Sequence, residues 1–269
     1  MNIVVCIKQV PDTANIRIDN VRMTIIREGV ESIINPVDSV ALEAALDLRN
    51  KVGGRITVMS MGPPQSEEAL REALAAGADQ AILLTDPSFS GADTLATSHV
   101  LARAISRLEP FPDLILCGNQ TVDSDTGHVG PQIAEELNLP QVCGVHEIHP
   151  EEVSLRVKRR HDSFLDIIRV SMPALLSVSQ ELGSLHFIPF GNLESAFTRG
   201  QVIHWGMDDL QLQPEEVGFK GSATQVWKIR RLPPKRKAEL LEGPAPLLVE
   251  QLIKRLESLG IIEEDSGSE

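Results

Sequence analysis

The segment with the most chemical content runs Gly118-Asn119-Gln120-Thr121-Val122-Asp123-Ser124-Asp125-Thr126-Gly127-His128-Val129-Gly130-Pro131, between an apolar run and a helical pattern. Its glycines permit close backbone approach and left-handed turns. The amides of Thr126 to Gly130, at a helix start, carry the positive end of the helix dipole and can cradle a phosphate. The same composition also suits a capped strand-to-helix turn, because Asp, Ser and Thr favour such positions. Asp123 and Asp125 would repel a bare phosphate, which leaves ribose hydroxyls, loop capping or subunit contacts as their roles. Three more loops follow strand-like runs: Lys8-Gln9-Val10-Pro11-Asp12, Met61-Gly62-Pro63-Pro64, and Asp86 to Thr97, where Asp93, Thr94 and Thr97 stand at a helix start. Each alone is ordinary turn chemistry. Together they gather polar groups at one sheet edge, which favours a nucleotide-sized ligand over a purely structural scaffold.

Other chemistries are excluded by what is missing. No GxGxxG follows a strand, no GxxxxGK[ST], HExxH or GxSxG occurs, and there is no tyrosine. No side chain is expected to act as acid, base or nucleophile. Cys6, Cys117 and Cys143 form no CxxC pair, so neither a metal cluster nor a disulfide framework is expected. His99, at a helical position, reads as a packed residue. The net charge of −13 repels phosphate backbones and argues against a nucleic-acid partner. Apolar runs such as Ile3 to Ile7 are too short to span a bilayer. Met1 leads directly into a strand pattern, so a reducing, cytoplasmic setting is expected.

These loops need a frame to position them. Asn2 to Lys8, Arg55 to Met61, Ala81 to Thr85 and Leu114 to Gly118 read as buried strands, with a further strand over Gln141 to Val145. Helical spacing covers Asp38 to Arg49, Gln65 to Ala76, Asp93 to Leu108 and Pro131 to Leu137. This alternation predicts an α/β fold with a doubly wound, mostly parallel sheet, whose ligands collect at the carboxyl ends of the strands. Val153 to Val157 and Phe164 to Val170 predict a β-hairpin, and Ala174 to Val178 another sheet strand. Beyond Leu182 the pattern weakens, and prolines and glycines punctuate the chain. An extended C-terminal arm packing on another chain is expected, ending in an amphipathic helix over Pro246 to Leu259 and a frayed acidic tail.

At these same loops the chain resembles the β subunit of electron-transfer flavoprotein. The motifs are Val4-Val5-Cys6-Ile7-Lys8-Gln9-Val10-Pro11-Asp12, Ile34-Asn35-Pro36-Val37-Asp38, Met61-Gly62-Pro63-Pro64, Gly91-Ala92-Asp93-Thr94-Leu95-Ala96-Thr97, the Gly118 to Pro131 loop, Pro173 to Val178 and Lys220 to Thr224, in the family's order. The resemblance implies an adenine-nucleotide α-hydrolase-like sheet and a heterodimer with an α subunit that holds redox-active FAD. It also implies a second nucleotide site here, occupied by FAD in the electron-bifurcating and nitrogen-fixation-associated branch and by AMP in simple shuttles. The motifs are more similar to the former, so FAD is expected, with AMP as the alternative. The implied site is Lys8, Gln9, Val10, Asn35, Asp38, Met61, Gly62, Asp93, Thr94, Thr97, Gly118, Gln120, Asp123, Asp125 and the Thr126, Gly127, His128 and Val129 backbone.

In the bifurcating variant the resemblance implies NADH as hydride donor, with one electron passing to the α-subunit flavin and one to a low-potential acceptor. In the simple variant, acyl-CoA-type dehydrogenases of fatty-acid β-oxidation feed the α flavin. Against the bifurcating pattern, Pro87 stands where that branch carries Arg, Asn119 where it carries Lys or Arg, and Ser124 where it carries Gly. A charge-assisted hydrogen bond contributes roughly 1.5–3 kcal/mol, so these losses bear on affinity and flavin potential.

The family also docks dehydrogenases through a recognition loop. Here Leu185 to Ala196 falls in its place, with Phe187, Ile188, Phe190 and Leu193 as docking residues and Phe190 as anchor. The alternative is that Phe187 and Phe190 fold into a satellite core. The expected division is a nucleotide-binding domain over 1–182, a recognition loop and helix over 183–200, and an arm over 201–269 packing on the α subunit. Rival readings are a universal-stress-type ATP- or AMP-binding module and a structural scaffold.

Overall fold

The computed structural model describes residues 1–12, 17–19, 24–26, 32–162, 164–225 and 240–262. They fall into two compact units, Met1–Gln225 and Val226–Glu269. In the first, β1 (Asn2–Cys6) is followed by four short strands, β2 (Gln9–Pro11), β3 (Arg17–Asp19), β4 (Thr24–Ile26) and β5 (Ser32–Ile34). The βα alternation then runs α1 (Pro36–Val52), β6 (Arg55–Met61), α2 (Glu67–Ala76), β7 (Gln80–Leu84), α3 (Thr94–Ser106), β8 (Leu114–Gly118) and α4 (Val129–Glu136). Next come β9 (Gln141–Pro150), β10 (Ser154–His161), β11 (Phe164–Ser171) and β12 (Ala174–Val178). After them lie α5 (Phe190–Arg199), β13 (Val202–Trp205), α6 (Met207–Leu210) and α7 (Gly218–Gly221). The second unit contains α8 (Ala245–Ser258).

One nine-stranded sheet, in the order β11-β10-β9-β12-β8-β1-β6-β7-β13, organises the first unit. The β9-β10-β11 meander is antiparallel and the remaining neighbours are parallel, as expected. From β1 the chain moves outward through β6 and β7, then returns to β8 on the other side of β1. That reversal places a switch point between β1 and β8, where the loops leaving the two strands diverge. Both faces of the central parallel strands β12, β8, β1, β6 and β7 are covered, so these strands are near-continuous apolar runs. Ile3, Val5 and Ile7 pack with residues of α1 and α2, whereas Val4 and Cys6 pack with residues of α3 and α4. His99 joins the two latter helices through Nδ1 and the Glu136 carboxylate.

Several boundaries differ from the sequence reading. α4 begins at Val129 rather than Pro131, and β9 extends to Pro150 through a register shift opposite Val178. The chain also does not leave the domain at residue 183 or 201. β13 adds a parallel edge strand beside β7, and Leu210, Leu212 and Val217 are buried in the core beneath α3. A four-residue strand whose partner lies some 120 residues earlier has no local periodicity to betray it. The second compact unit starts at Val226, and residues 226–239 of the expected arm, with the acidic tail from Glu263, lie outside the described residues. Among the described residues no helix is long and apolar enough to cross a membrane, and no cluster of His, Cys, Asp and Glu could hold a metal ion.

Candidate functional site

Two buried polar residues at the start of α1 tie the switch point together. Asp38, only 5% exposed, accepts the Lys8 amide with Oδ2 at 2.8 Å and the Gly118 amide with Oδ1 at 2.9 Å. Asn35, fully buried, donates from Nδ2 to the Gln120 carbonyl at 2.9 Å and accepts the Val122 amide with Oδ1 at 3.1 Å. Its own amide donates to the Lys8 carbonyl at 2.8 Å. The exits of β1 and β8 are therefore held to one helix end. Gly118 is required for that approach, since a Cβ there would collide with the Asp38 carboxylate. Both residues belong to the expected cofactor site, and here their polar atoms hold the backbone of the loops.

Burial pushes the Asp38 carboxyl from 3.8 up to about 7, against the lowering effect of the Lys8 and Gly118 amides, Asn35 and the Lys8 charge. An acid raised in the folded state contributes stability that is fully present below the unfolded value and falls as pH rises from 3.8 towards about 7, flattening above it. Asp38→Asn should remove that slope. It should also cost about 1–3 kcal/mol by setting an amide NH₂ against a backbone N–H. Urea unfolding of both proteins across this window checks it, and parallel stability curves would contradict it.

Above this clasp lies the long loop. Lys8 Nζ reaches it through an ion pair with Asp123 at 2.6 Å. Partial burial acts upward on Asp123, yet hydrogen bonds from Lys8, Thr121 and Ser124 and the Lys8 charge bring its carboxyl below the usual range. Asp125 is exposed and left-handed at φ 52°, with its amide on the Thr121 carbonyl. Gly127 follows at φ 66°, where a Cβ would sit 3.1 Å from the Asn119 carbonyl oxygen. α4 then starts at Val129 with no side-chain cap, so its first amides lack an intrahelical acceptor. Thr126, Gly127 and His128 are exposed and Val129 is half-buried. An uncapped helix start and a left-handed glycine, on a loop that Lys8 reaches at Asp123, fit the phosphate end of an adenine nucleotide.

The other expected residues stand at the end of β6 and on the segments that follow β1 and β7. Gln9 lies on β2 opposite Ile34, and Val10 is buried. Met61 is partly buried against the α3-side core, and the Gly62 amide donates to the Leu84 carbonyl at 3.0 Å. Thr94 and Thr97 are half-buried on the first turn of α3. Asp93 caps that helix, accepting the Leu95 and Ala96 amides with Oδ1, both at 3.0 Å. Its Oδ2 holds the Thr224 amide at 2.7 Å and hydroxyl at 2.8 Å, and Ser222 Oγ accepts its amide. The small burial of Asp93 acts upward, but these donors lower its carboxyl. With both oxygens engaged, Asp93 anchors the end of the first unit. The helix cap is readable from sequence; Thr224, 131 residues away, is not.

The segment after β12 builds a second feature. Leu185 and Ile188 pack against the core, while Phe187 is 87% and Phe190 78% exposed. The satellite-core alternative is thereby corrected for the two phenylalanines. From Phe190 onward the expected loop is the helix α5, with Leu193 half-buried. A groove of about 430 Å³ runs between this segment and α2.

Comparison with known proteins agrees with these features. Residues 22–186 match the electron transfer flavoprotein domain family. The chain is 46% identical over 262 residues to an electron transfer flavoprotein subunit beta of Thermoanaerobacterium thermosaccharolyticum, covering 97% of this chain and 100% of that protein. It is 43% identical to the caffeyl-CoA reductase-Etf complex subunit CarD of Acetobacterium woodii, covering 90% of this chain and 92% of that one. It is 41% identical to protein FixA of Azorhizobium caulinodans, covering 95% of each. With its doubly wound sheet, its switch-point loops and this near full-length similarity, the chain belongs to the electron transfer flavoprotein β-subunit family.

Proposed function

We propose that this chain, paired with an α subunit, holds a second FAD with its phosphates at the start of α4, and relays electrons between NADH or acyl-CoA-type dehydrogenases and other acceptors. The observation that carries the reading is the turn at Thr126–Val129, an uncapped helix start with the left-handed Gly127, on the loop that Lys8 reaches at Asp123. Flavin, when bound, supplies one- and two-electron chemistry. The chain's own residues do the placing: Asn35 and Asp38 hold the two loops in register, the amides of 126–129 receive anionic oxygens, and Lys8 exchanges Asp123 for phosphate. Similarity to a subunit of a caffeyl-CoA reductase-Etf complex supports a reductase-linked role. The free Cys6, Cys117 and Cys143 suit a reducing cytoplasm.

AMP is the second reading, favoured by one observation. Lys8 is already paired with Asp123, and Asn119 adds no charge, so the loop offers little cationic density for a diphosphate. Counting nucleotides released from the denatured heterodimer separates the two. A pair of FAD molecules, with NADH bleaching the visible spectrum, supports the first reading, and FAD with AMP the second. FAD from the α subunit alone removes both.

We further propose that the second unit packs on the α subunit. α8 has no buried residue and leaves Leu247, Val249, Leu252 and Ile253 exposed. Deleting Pro246 to Glu269 should raise the dissociation constant for the α subunit at least about tenfold, the equivalent of burying one such side chain. Sedimentation of the heterodimer reads this, and an unchanged constant would assign the helix elsewhere.

A further inference from the structure

Neighbouring charges on α2 have opposite fates. Arg71 is fully committed: Nε and Nη2 grip Glu67 Oε1 at 2.8 and 2.6 Å, and Nη1 donates to the Ala196, Phe197 and Gly200 carbonyls that end α5. Glu72 faces the groove beside Leu185, Phe187, Leu193 and Phe197. It is half-buried, and burial raises its carboxyl with no opposing cause. Of the residues lining the groove only His186 could offer a positive charge, and it is taken by Glu43 at 2.7 Å. A carboxylate set in an apolar wall is costly unless a cation meets it. At an interface such a charge sets on-rate and register.

We propose that this groove receives a protein partner presenting an apolar side chain flanked by a lysine or arginine, the apolar group seated against Leu193 and Phe197 and the cation paired with Glu72. The proposal rests on the docking reading of the Phe190 face and gives it a partner chemistry. A lone anionic groove among exposed phenylalanines selects against acidic partner surfaces as well as for basic ones.

The test is steady-state reduction of the heterodimer by an acyl-CoA dehydrogenase over a range of ionic strengths, comparing wild type, Glu72→Gln, Glu72→Lys and Phe190→Ala. Glu72→Gln should raise KM about tenfold at low salt with kcat unchanged, the difference closing as salt screens the pair. Glu72→Lys should exceed it. Glu72→Gln should also unfold at a temperature no lower than wild type, since the uncharged amide is easier to bury. A salt-independent KM for Glu72→Gln equal to wild type, while Phe190→Ala is impaired, overturns this inference and leaves docking standing. Unimpaired transfer in both variants removes docking as well. A lowered unfolding temperature for Glu72→Gln would reveal a structural partner for the carboxylate and also overturn it.

Discussion

A Gly127→Val heterodimer is expected to leave purification with its β-subunit nucleotide depleted at least about tenfold, the α-subunit FAD serving as internal reference. Gly127 sits at φ 66°, and a Cβ there meets the Asn119 carbonyl oxygen at 3.1 Å. A left-handed conformation costs an L-residue roughly 1–2 kcal/mol, more for a β-branched one, and about 1.4 kcal/mol is a factor of ten in affinity. The loop would relieve the strain by moving, and the amides of Thr126 to Val129 would no longer converge. Because Thr126, Gly127 and His128 are exposed, the core remains intact and the loss appears in nucleotide content rather than in yield. Gly127→Ala should fall between wild type and valine. Full retention of nucleotide in the valine variant would take this loop out of the site.

Phe190→Ala should slow electron transfer from a partner dehydrogenase about thirtyfold at limiting concentration, the effect of losing an interface anchor of about 2 kcal/mol. Phe190 is the first residue of α5 and is 78% exposed, beside Phe187 at 87%. Two exposed rings three residues apart in sequence are what a docking anchor requires. Nucleotide content and unfolding temperature should stay at wild-type values, because neither ring belongs to the core. Stopped-flow reduction of the variant heterodimer measures the rate, and transfer equal to wild type would leave the phenylalanines without a docking role.

The centre of the sheet was legible because its parallel strands are buried on both faces. Ile3 to Ile7 and Leu114 to Cys117 could be read as strands without knowing their neighbours, and Gly53 and Gly77 punctuate helix ends. The strand-to-helix loop between β8 and α4 was legible for the same local reason. What escaped depends on distant partners. β13 is a strand only because β7 offers it an edge. Asn35 and Asp38 were singled out for a cofactor, whereas folding turns their polar groups onto Lys8, Gly118, Gln120 and Val122. α5 did carry a local signal, with Phe190, Leu193, Ala196 and Phe197 at helical spacing after Pro189. Glu72 carried less: its sequence neighbours show an alanine-rich helix face, but the apolar wall beside it comes from Leu185, Phe187, Leu193 and Phe197, more than a hundred residues later.

The central claim is that the backbone amides at residues 126–129 receive the phosphate of an adenine nucleotide beside Lys8. A crystal structure of the heterodimer grown with excess FAD and AMP tests it most directly. The account predicts phosphate oxygens within hydrogen-bonding distance of these amides, with Lys8 turned from Asp123 toward them. Density showing the Lys8–Asp123 pair intact and the turn closed by the protein's own side chains, with nucleotide bound only in the α subunit, would contradict it.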